Sequence, residues 1–206
     1  MDSKHTVVVA TGNAHKLTEI EAILGAAPAM AGMRFVALGE LGDFEDPEED
    51  GATFAENALI KARAALDETG LCMAVADDSG LVVDALNGEP GIFSARWAGE
   101  HGNDAANNDK MLREMADVPD DERSARFHSS VVLVTRDEDG EEVLVGEGDC
   151  EGTIARDLRG TNGFGYDPLF ELADIPGRRM AELEPAEKNA ISHRRRALDD
   201  LVAKLA

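Results

Sequence analysis

Thr6 to Ala10 is a β-branched run, the pattern of a strand buried on both faces. Thr11-Gly12-Asn13 breaks it, and Leu17, Ile20, Ile23 and Leu24 then recur at helical spacing as far as Gly25. Further on, Thr53-Phe54-Ala55-Glu56 has the spacing of a capping box and predicts a helix to about Glu68, with Gly70 as its C-terminal stop. Asn57 and Lys61 lie four apart on that helix and so share one face near its start. The residues from Ala74 to Leu86 form two short apolar runs interrupted by Asp77-Asp78-Ser79-Gly80, whose residue types predict a turn. Side chains alternate across a strand, so the two aspartates at its end point in opposite directions. One can face a cleft while its neighbour caps or braces the turn.

Asn87 to Trp97 is rich in Gly and Pro and predicts a loop. Asp104 to Met115 reads as a helix, with Pro119 beyond its end. Arg126 to Thr135 and Glu142 to Gly148 flank Asp139-Gly140, a hairpin signal, and Ile154 continues a short strand. Gly160 to Phe170 sets three glycines around Phe164 and Tyr166, a backbone shaped for the approach of a flat ligand. Aromatic faces there can stack on a nucleobase, a contact worth about 1–3 kcal/mol in single-strand binders. Glu182-Leu183-Glu184-Pro185 leads into a helical stretch running to Leu205.

Composition narrows the classes of function. The 206 residues, 43% hydrophobic, suit one globular domain with a sizeable core. Forty-two acidic residues against 20 basic give a net charge of −22, which argues against a nucleic-acid partner or an anionic membrane partner. Cys72 and Cys150 match no zinc spacing, and the five histidines show no paired ligand pattern. With no apolar stretch long enough to span a bilayer and no signal-peptide pattern at Met1 to His5, the expected location is the reduced cytoplasm. Any metal is then expected to be a hard one held by carboxylates.

Strand, glycine turn and helix in the order seen from Thr6 to Gly25 gather backbone N–H groups and a positive helix end at one point, a natural phosphate site. Lys16 in the first turn can reach the same anion, although the spacing is not that of a Walker loop. Five segments in one order complete the pattern. They are Thr11-Gly12-Asn13-Ala14-His15-Lys16; Thr53 to Ala58 with Lys61; Ala76 to Gly80; Phe164-Gly165-Tyr166-Asp167-Pro168; and Ile191-Ser192-His193-Arg194. Together, from Val7 to about Leu201, they closely resemble the Ham1-like family of noncanonical purine nucleoside triphosphate pyrophosphatases, the inosine triphosphatases.

The resemblance implies one Ham1-like domain over residues 1–206. Its fold would be α/β, a long twisted mixed β-sheet flanked by helices, with two lobes and a central substrate cleft, usually as a homodimer. The implied reaction is Mg²⁺-dependent hydrolysis of dITP, ITP or XTP to the monophosphate and pyrophosphate, clearing deaminated purines from the nucleotide pool. Thr11, Gly12, Asn13, Ala14, His15 and Lys16 would hold the triphosphate. Asp78 would be both metal ligand and proton acceptor for the attacking water; Glu49 would help hold Mg²⁺, and Ser79 would touch substrate. Phe164, Gly165, Tyr166 and Asp167 would enclose base and sugar, Lys188, His193 and Arg194 would complete the pocket, and Lys61 would neutralise phosphate. Arg194, or a backbone N–H near His193, is the expected donor to the purine C6 oxygen. A pyrophosphatase for modified pyrimidine nucleotides and a non-catalytic nucleotide-binding regulator are the rival readings.

Overall fold

The computed structural model of the chain describes residues 3–11 and 14–205, apart from the side chains of Ala14 and His15. Gly12, Asn13 and those two side chains, assigned above to a phosphate site, lie outside the described residues.

Strand β1 (Thr6–Val9) leads into α1 (Ala14–Leu24). Next come β2 (Arg34–Ala37), the short α2 (Leu38–Leu41), α3 (Phe54–Thr69) and β3 (Met73–Val83). Helix α4 (Asp104–Glu114) precedes two long strands, β4 (Ser124–Asp137) and β5 (Gly140–Ile154). The chain closes with β6 (Phe170–Leu172), α5 (Pro185–Ile191) and α6 (His193–Lys204). The strands form one six-stranded sheet in the order β2-β1-β3-β4-β5-β6. β1 runs parallel to both β2 and β3, whereas β5 and β6 are antiparallel, so the sheet is mixed. Two compact units divide the chain. The first comprises Met1–Asp78, Ser129–Gly148 and Arg194–Ala206; the second comprises Ser79–His128 and Asp149–His193.

The first unit is layered around a strand pattern of period two. Val7, Val9, Val75, Val131 and Leu133 pack on one side against Ile20 and Leu24 of α1 and Ala197, Leu198 and Leu201 of α6. Val8, Ala74, Ala76, Val132 and Val134 point the other way, against Ala58, Ala62, Ala65 and Leu66 of α3. Each fully buried valine or leucine contributes about 1.5–3 kcal/mol, so the two apolar layers fix both the register of β3 and the helices on either side of it. Three alanines facing the sheet let the backbone of α3 lie close to it, β1 included. Its start is set by the predicted reciprocal cap: Thr53 Oγ1 accepts from the Glu56 N–H at 3.2 Å, and Glu56 Oε2 accepts from the Thr53 N–H at 3.1 Å. Gly70 ends it in the left-handed conformation at φ 66°.

In the second unit Leu81, Val83, Met111, Phe127, Tyr166, Leu169 and Phe170 belong to one core. Arg123, buried, ties the end of α4 to the end of β5. Its guanidinium donates to the carbonyls of Met115 at 2.5 Å, Ile154 at 2.6 Å and Ala155 at 3.0 Å. A cation on the last carbonyls of a helix also opposes the negative end of its dipole.

Three features depart from the sequence reading. Asp77 to Gly80 is not a turn, because β3 runs unbroken from Met73 to Val83. The polar side chains there are satisfied by partners on each side of the sheet, and this tertiary pairing overrides turn propensity. The hairpin strands extend to 14 and 15 residues, and Ile154 is the end of β5 rather than a separate strand. Within β5, Gly146 allows a close approach to α6: a Cβ there would collide with the Ala197 carbonyl. The single C-terminal helix is two, parted by Ser192 in extended conformation at ψ 153°.

Candidate active site

Alternation along β3 sends its two aspartates into different surroundings, both within the first unit. Asp77 lies on the side of Val75, buried at 3% exposure, where α1 and α6 pack. Its Oδ1 accepts from Lys16 Nζ at 3.0 Å and its Oδ2 from Arg194 Nε at 2.9 Å. Arg194 Nη1 also donates to Glu19 Oε2 of α1 at 3.3 Å. Burial works against ionising Asp77, but the Lys16 ammonium and Arg194 guanidinium outweigh it and hold the carboxyl far below the usual carboxylate range. Burial opposes the charge of Arg194 too; Asp77 and Glu19 overcome it and raise its pKa.

Asp78 points to the side of α3. Its Oδ1 accepts from Lys61 Nζ at 3.1 Å and its Oδ2 from Asn57 Nδ2 at 3.4 Å. These are the two α3 residues that share a face by their spacing of four. Asn57 is fully buried, and its Oδ1 accepts the Gly51 N–H at 2.9 Å, which orients its amide. Lys61 Nζ lies 3.4 Å from Glu49 Oε1 as well, so two carboxylates converge on one ammonium. Burial is the largest influence on Asp78 and pushes its pKa up; Lys61 pulls it back, while Glu49 adds to the upward push. For Lys61, burial disfavours the charge, but Asp78, Glu49 and Asp77 outweigh it and raise its pKa. Lys61 and Thr11 also line a groove that includes Glu45 and Asp46.

Asp78 is therefore a partly desolvated carboxylate beside a committed ammonium, the setting of a general base. Two hard carboxylates near one cation also suit Mg²⁺. Among the described residues no group of three His, Cys, Asp or Glu side chains could hold a metal alone. Mg²⁺ commonly takes only one or two carboxylates, with waters and substrate phosphates completing its shell, so Asp78 and Glu49 fit such an ion.

The second unit holds a separate pocket of about 560 Å³, counting its open mouth. Ser79, Phe164, Gly165, Tyr166, Asp167, Lys188 and His193 line it together with Asp104 and Ser94. Phe164 is 63% exposed, a large apolar ring left open to solvent. Its N–H donates to Asp167 Oδ2 at 2.9 Å, and Lys188 Nζ lies 4.5 Å from its ring centroid. Lys188 is also ion-paired with Asp167. Burial raises the pKa of Asp167, against the pull of Lys188. The His193 ring stacks on Phe127 with centroids 5.2 Å apart.

The predicted residues thus fall into two groups. Lys16, Asp78, Lys61, Glu49 and Arg194 gather in the first unit, and Ser79, Phe164 to Asp167, Lys188 and His193 line the pocket of the second. Two of these residues have further partners. Tyr166 is buried at 3% exposure with its hydroxyl donating to the Ser94 carbonyl at 2.9 Å, so among the Phe and Tyr rings lining this pocket Phe164 offers the open face. Burial and Asp104 push the Tyr166 pKa upward, which keeps that hydroxyl a donor. Arg194 is engaged with Asp77 through Nε and with Glu19 through Nη1, and it and a backbone N–H near His193 both stay candidate donors to a purine C6 oxygen. Sequence reasoning left Asn57, Glu19 and Asp104 out of the site. For Asn57 the spacing to Lys61 was a usable signal; for the other two, no local signal exists. Among the described residues no helix is long and apolar enough to cross a membrane.

Proteins of known sequence and of known structure resemble this chain over nearly its whole length. A protein of Corynebacterium diphtheriae named dITP/XTP pyrophosphatase is 51% identical over 204 residues, covering 97% of this chain and 96% of its own. One of the same name from Haemophilus influenzae is 48% identical, with coverage of 98% and 100%. The structure of a HAM1 protein from Coxiella burnetii matches with a TM-score of 0.85 at 44% identity, over 97% of this chain and 98% of that one. That of a nucleoside-triphosphatase, dITP/XTP pyrophosphatase, from Mycobacterium abscessus gives 0.80 at 47%, over 98% and 100%. The Ham1 family pattern itself runs from residue 7 to residue 204, and with the sheet and both residue clusters in place the chain belongs to the Ham1 family.

Proposed function

We propose that the chain hydrolyses dITP, ITP and XTP to the nucleoside monophosphate and pyrophosphate with Mg²⁺, acting in the cytoplasm as a homodimer, with residues 1–206 as one catalytic domain. The observation that carries this reading is the Asp78–Lys61–Glu49 group, a desolvated carboxylate held beside an ammonium and a second carboxylate. Relatives about 50% identical over almost the full chain and bearing the name dITP/XTP pyrophosphatase support the choice of substrate.

In this reading Asp78 takes a proton from a water as that water attacks the α-phosphorus. The bond from that phosphorus to the bridging oxygen breaks, and pyrophosphate leaves. Lys61 and Lys16 offset charge on the phosphate oxygens, and Thr11 to Lys16 receive the triphosphate at the start of α1. Asn57 donates to the second oxygen of Asp78 and so helps to hold the carboxylate in one orientation toward the water. Mg²⁺ on Asp78 and Glu49 would supply further neutralisation of the phosphates. Phe164 offers its face to the purine, Ser79, Gly165 and Asp167 border the sugar and base, and Lys188 and His193 close the pocket. Arg194 acts through Asp77 by holding Lys16 in place.

The test is pyrophosphate release from ITP, dITP, XTP, GTP and ATP, each with and without Mg²⁺. Turnover confined to the deaminated purines and to samples with Mg²⁺ is the expected result. Equal rates on all five nucleotides would remove the substrate assignment, and activity that survives chelation would remove the metal.

A further inference from the structure

Helix α4 grips the loop that carries Phe164 at a single residue. Asp104, in the first turn of α4, accepts the Gly165 N–H on its Oδ2 at 2.7 Å. Asn108, one turn later, donates from Nδ2 to the Gly165 carbonyl at 2.8 Å and to the Asp104 carbonyl at 2.9 Å. The peptides on both sides of Gly165 are therefore fixed from the same helix, and one of the bonds is charge-assisted. Gly165 sits at φ 61°, a conformation that a side-chain-bearing residue adopts at a cost. Glycine takes this conformation at no cost, and the two bonds fix which of its open conformations the loop adopts. Helix α4 is anchored at its other end by Arg123 and in its middle by Asn107, whose Oδ1 accepts the Ala98 N–H at 2.8 Å.

We propose that Asp104 and Asn108 are specificity-determining positioning residues, which discriminate between purine bases by fixing the Phe164–Gly165 peptide at the rim of the pocket. Rejection of a wrong base depends on buried polar groups being left unpaired, and a wall that can shift re-pairs them at little cost. Phe164 is mostly exposed and is held through its backbone and Lys188 rather than by core packing, so the position of its ring follows the position of that peptide. Asp104 itself lines the pocket. Removing its carboxylate frees the loop while leaving the Asp78 cluster of the other unit untouched.

This inference rests on the proposed pyrophosphohydrolase activity, and the experiment separates the two. Wild type, Asp104→Ala, Asp104→Asn and Asn108→Ala are compared for kcat/KM on ITP and on ATP, and for binding of IMP and of pyrophosphate. In Asp104→Ala, IMP affinity is expected to fall about tenfold with pyrophosphate affinity unchanged, and the ITP-to-ATP ratio to fall by a similar factor. Asp104→Asn keeps an oxygen acceptor for the Gly165 N–H and is expected to restore most of the ratio. Should Asp104→Ala not fold, Asn108→Ala carries the same test from the carbonyl side. An unchanged ratio in a folded variant, or an equal loss of IMP and pyrophosphate binding, overturns the inference alone. A wild-type chain that releases no pyrophosphate from ITP overturns the functional reading and this inference with it.

Discussion

On one side of β3, Asp77 is closed in by α1 and α6, with a cation on each oxygen. On the other, Asp78 faces α3 with one ammonium, one amide and a second carboxylate nearby. Both are carboxylates, adjacent in sequence and largely buried, and burial pushes both pKa values up. What separates them is compensation: two full positive charges overwhelm the penalty at Asp77, whereas at Asp78 the penalty prevails. A fully compensated carboxylate is a structural anion. An under-compensated one suits the proton-accepting role proposed for Asp78, and the same strand supplies both by alternation.

The largest expected break of this symmetry is chemical. Asp78→Asn should lower kcat by about a thousandfold, as loss of a general base does, while melting stays within about 1 kcal/mol of wild type. Steady-state kinetics and a thermal melt on the same preparation check both halves. Lys61→Met should cost about a hundredfold in kcat through lost charge stabilisation, read in the same assay. Asp77→Asn should act first on stability, with a secondary loss of activity because Lys16 is no longer held. By stranding Lys16 and Arg194 it should destabilise the fold by about 3 kcal/mol, seen as a drop in Tm of roughly 10 °C by calorimetry. The smallest effect is in pH. Because the folded Asp77 carboxyl lies below its unfolded value of about 3.9, its stabilisation is complete above that value and fades as pH falls below it. Denaturant titrations from pH 6 to pH 2.5 should show the gap between wild type and Asp77→Asn closing below about pH 4. A gap that stays constant would mean that Asp77 is held by packing rather than by charge.

Much of the scaffold was legible because its signals are local. The Thr53–Glu56 cap and the Gly70 stop are contained within a few residues, and α3 begins and ends within a residue of where they place it. The valine run of β1 and the helical spacing of α1 are likewise short-range. The pairings of Asp77 were not legible, because Lys16 is 61 residues away in sequence and Arg194 is 117 away. Propensity read Asp77 to Gly80 as a turn; only partners on both faces make it a strand. The Glu19 partner of Arg194 was equally out of reach, 175 residues away in sequence. Asp104 escaped notice for the opposite reason: an acid in the first turn of a helix is so ordinary that nothing local sets it apart.

One consequence lies in the parity of β3. Val75 and Asp77 are odd-numbered and look to α1 and α6; Ala76 and Asp78 are even-numbered and look to α3. Deleting one residue between Met73 and Val75 would exchange the two roles without altering either aspartate. In a comparison of such chains, counting from the apolar residues that precede the pair tells which acid is which more surely than the identity of the acids themselves.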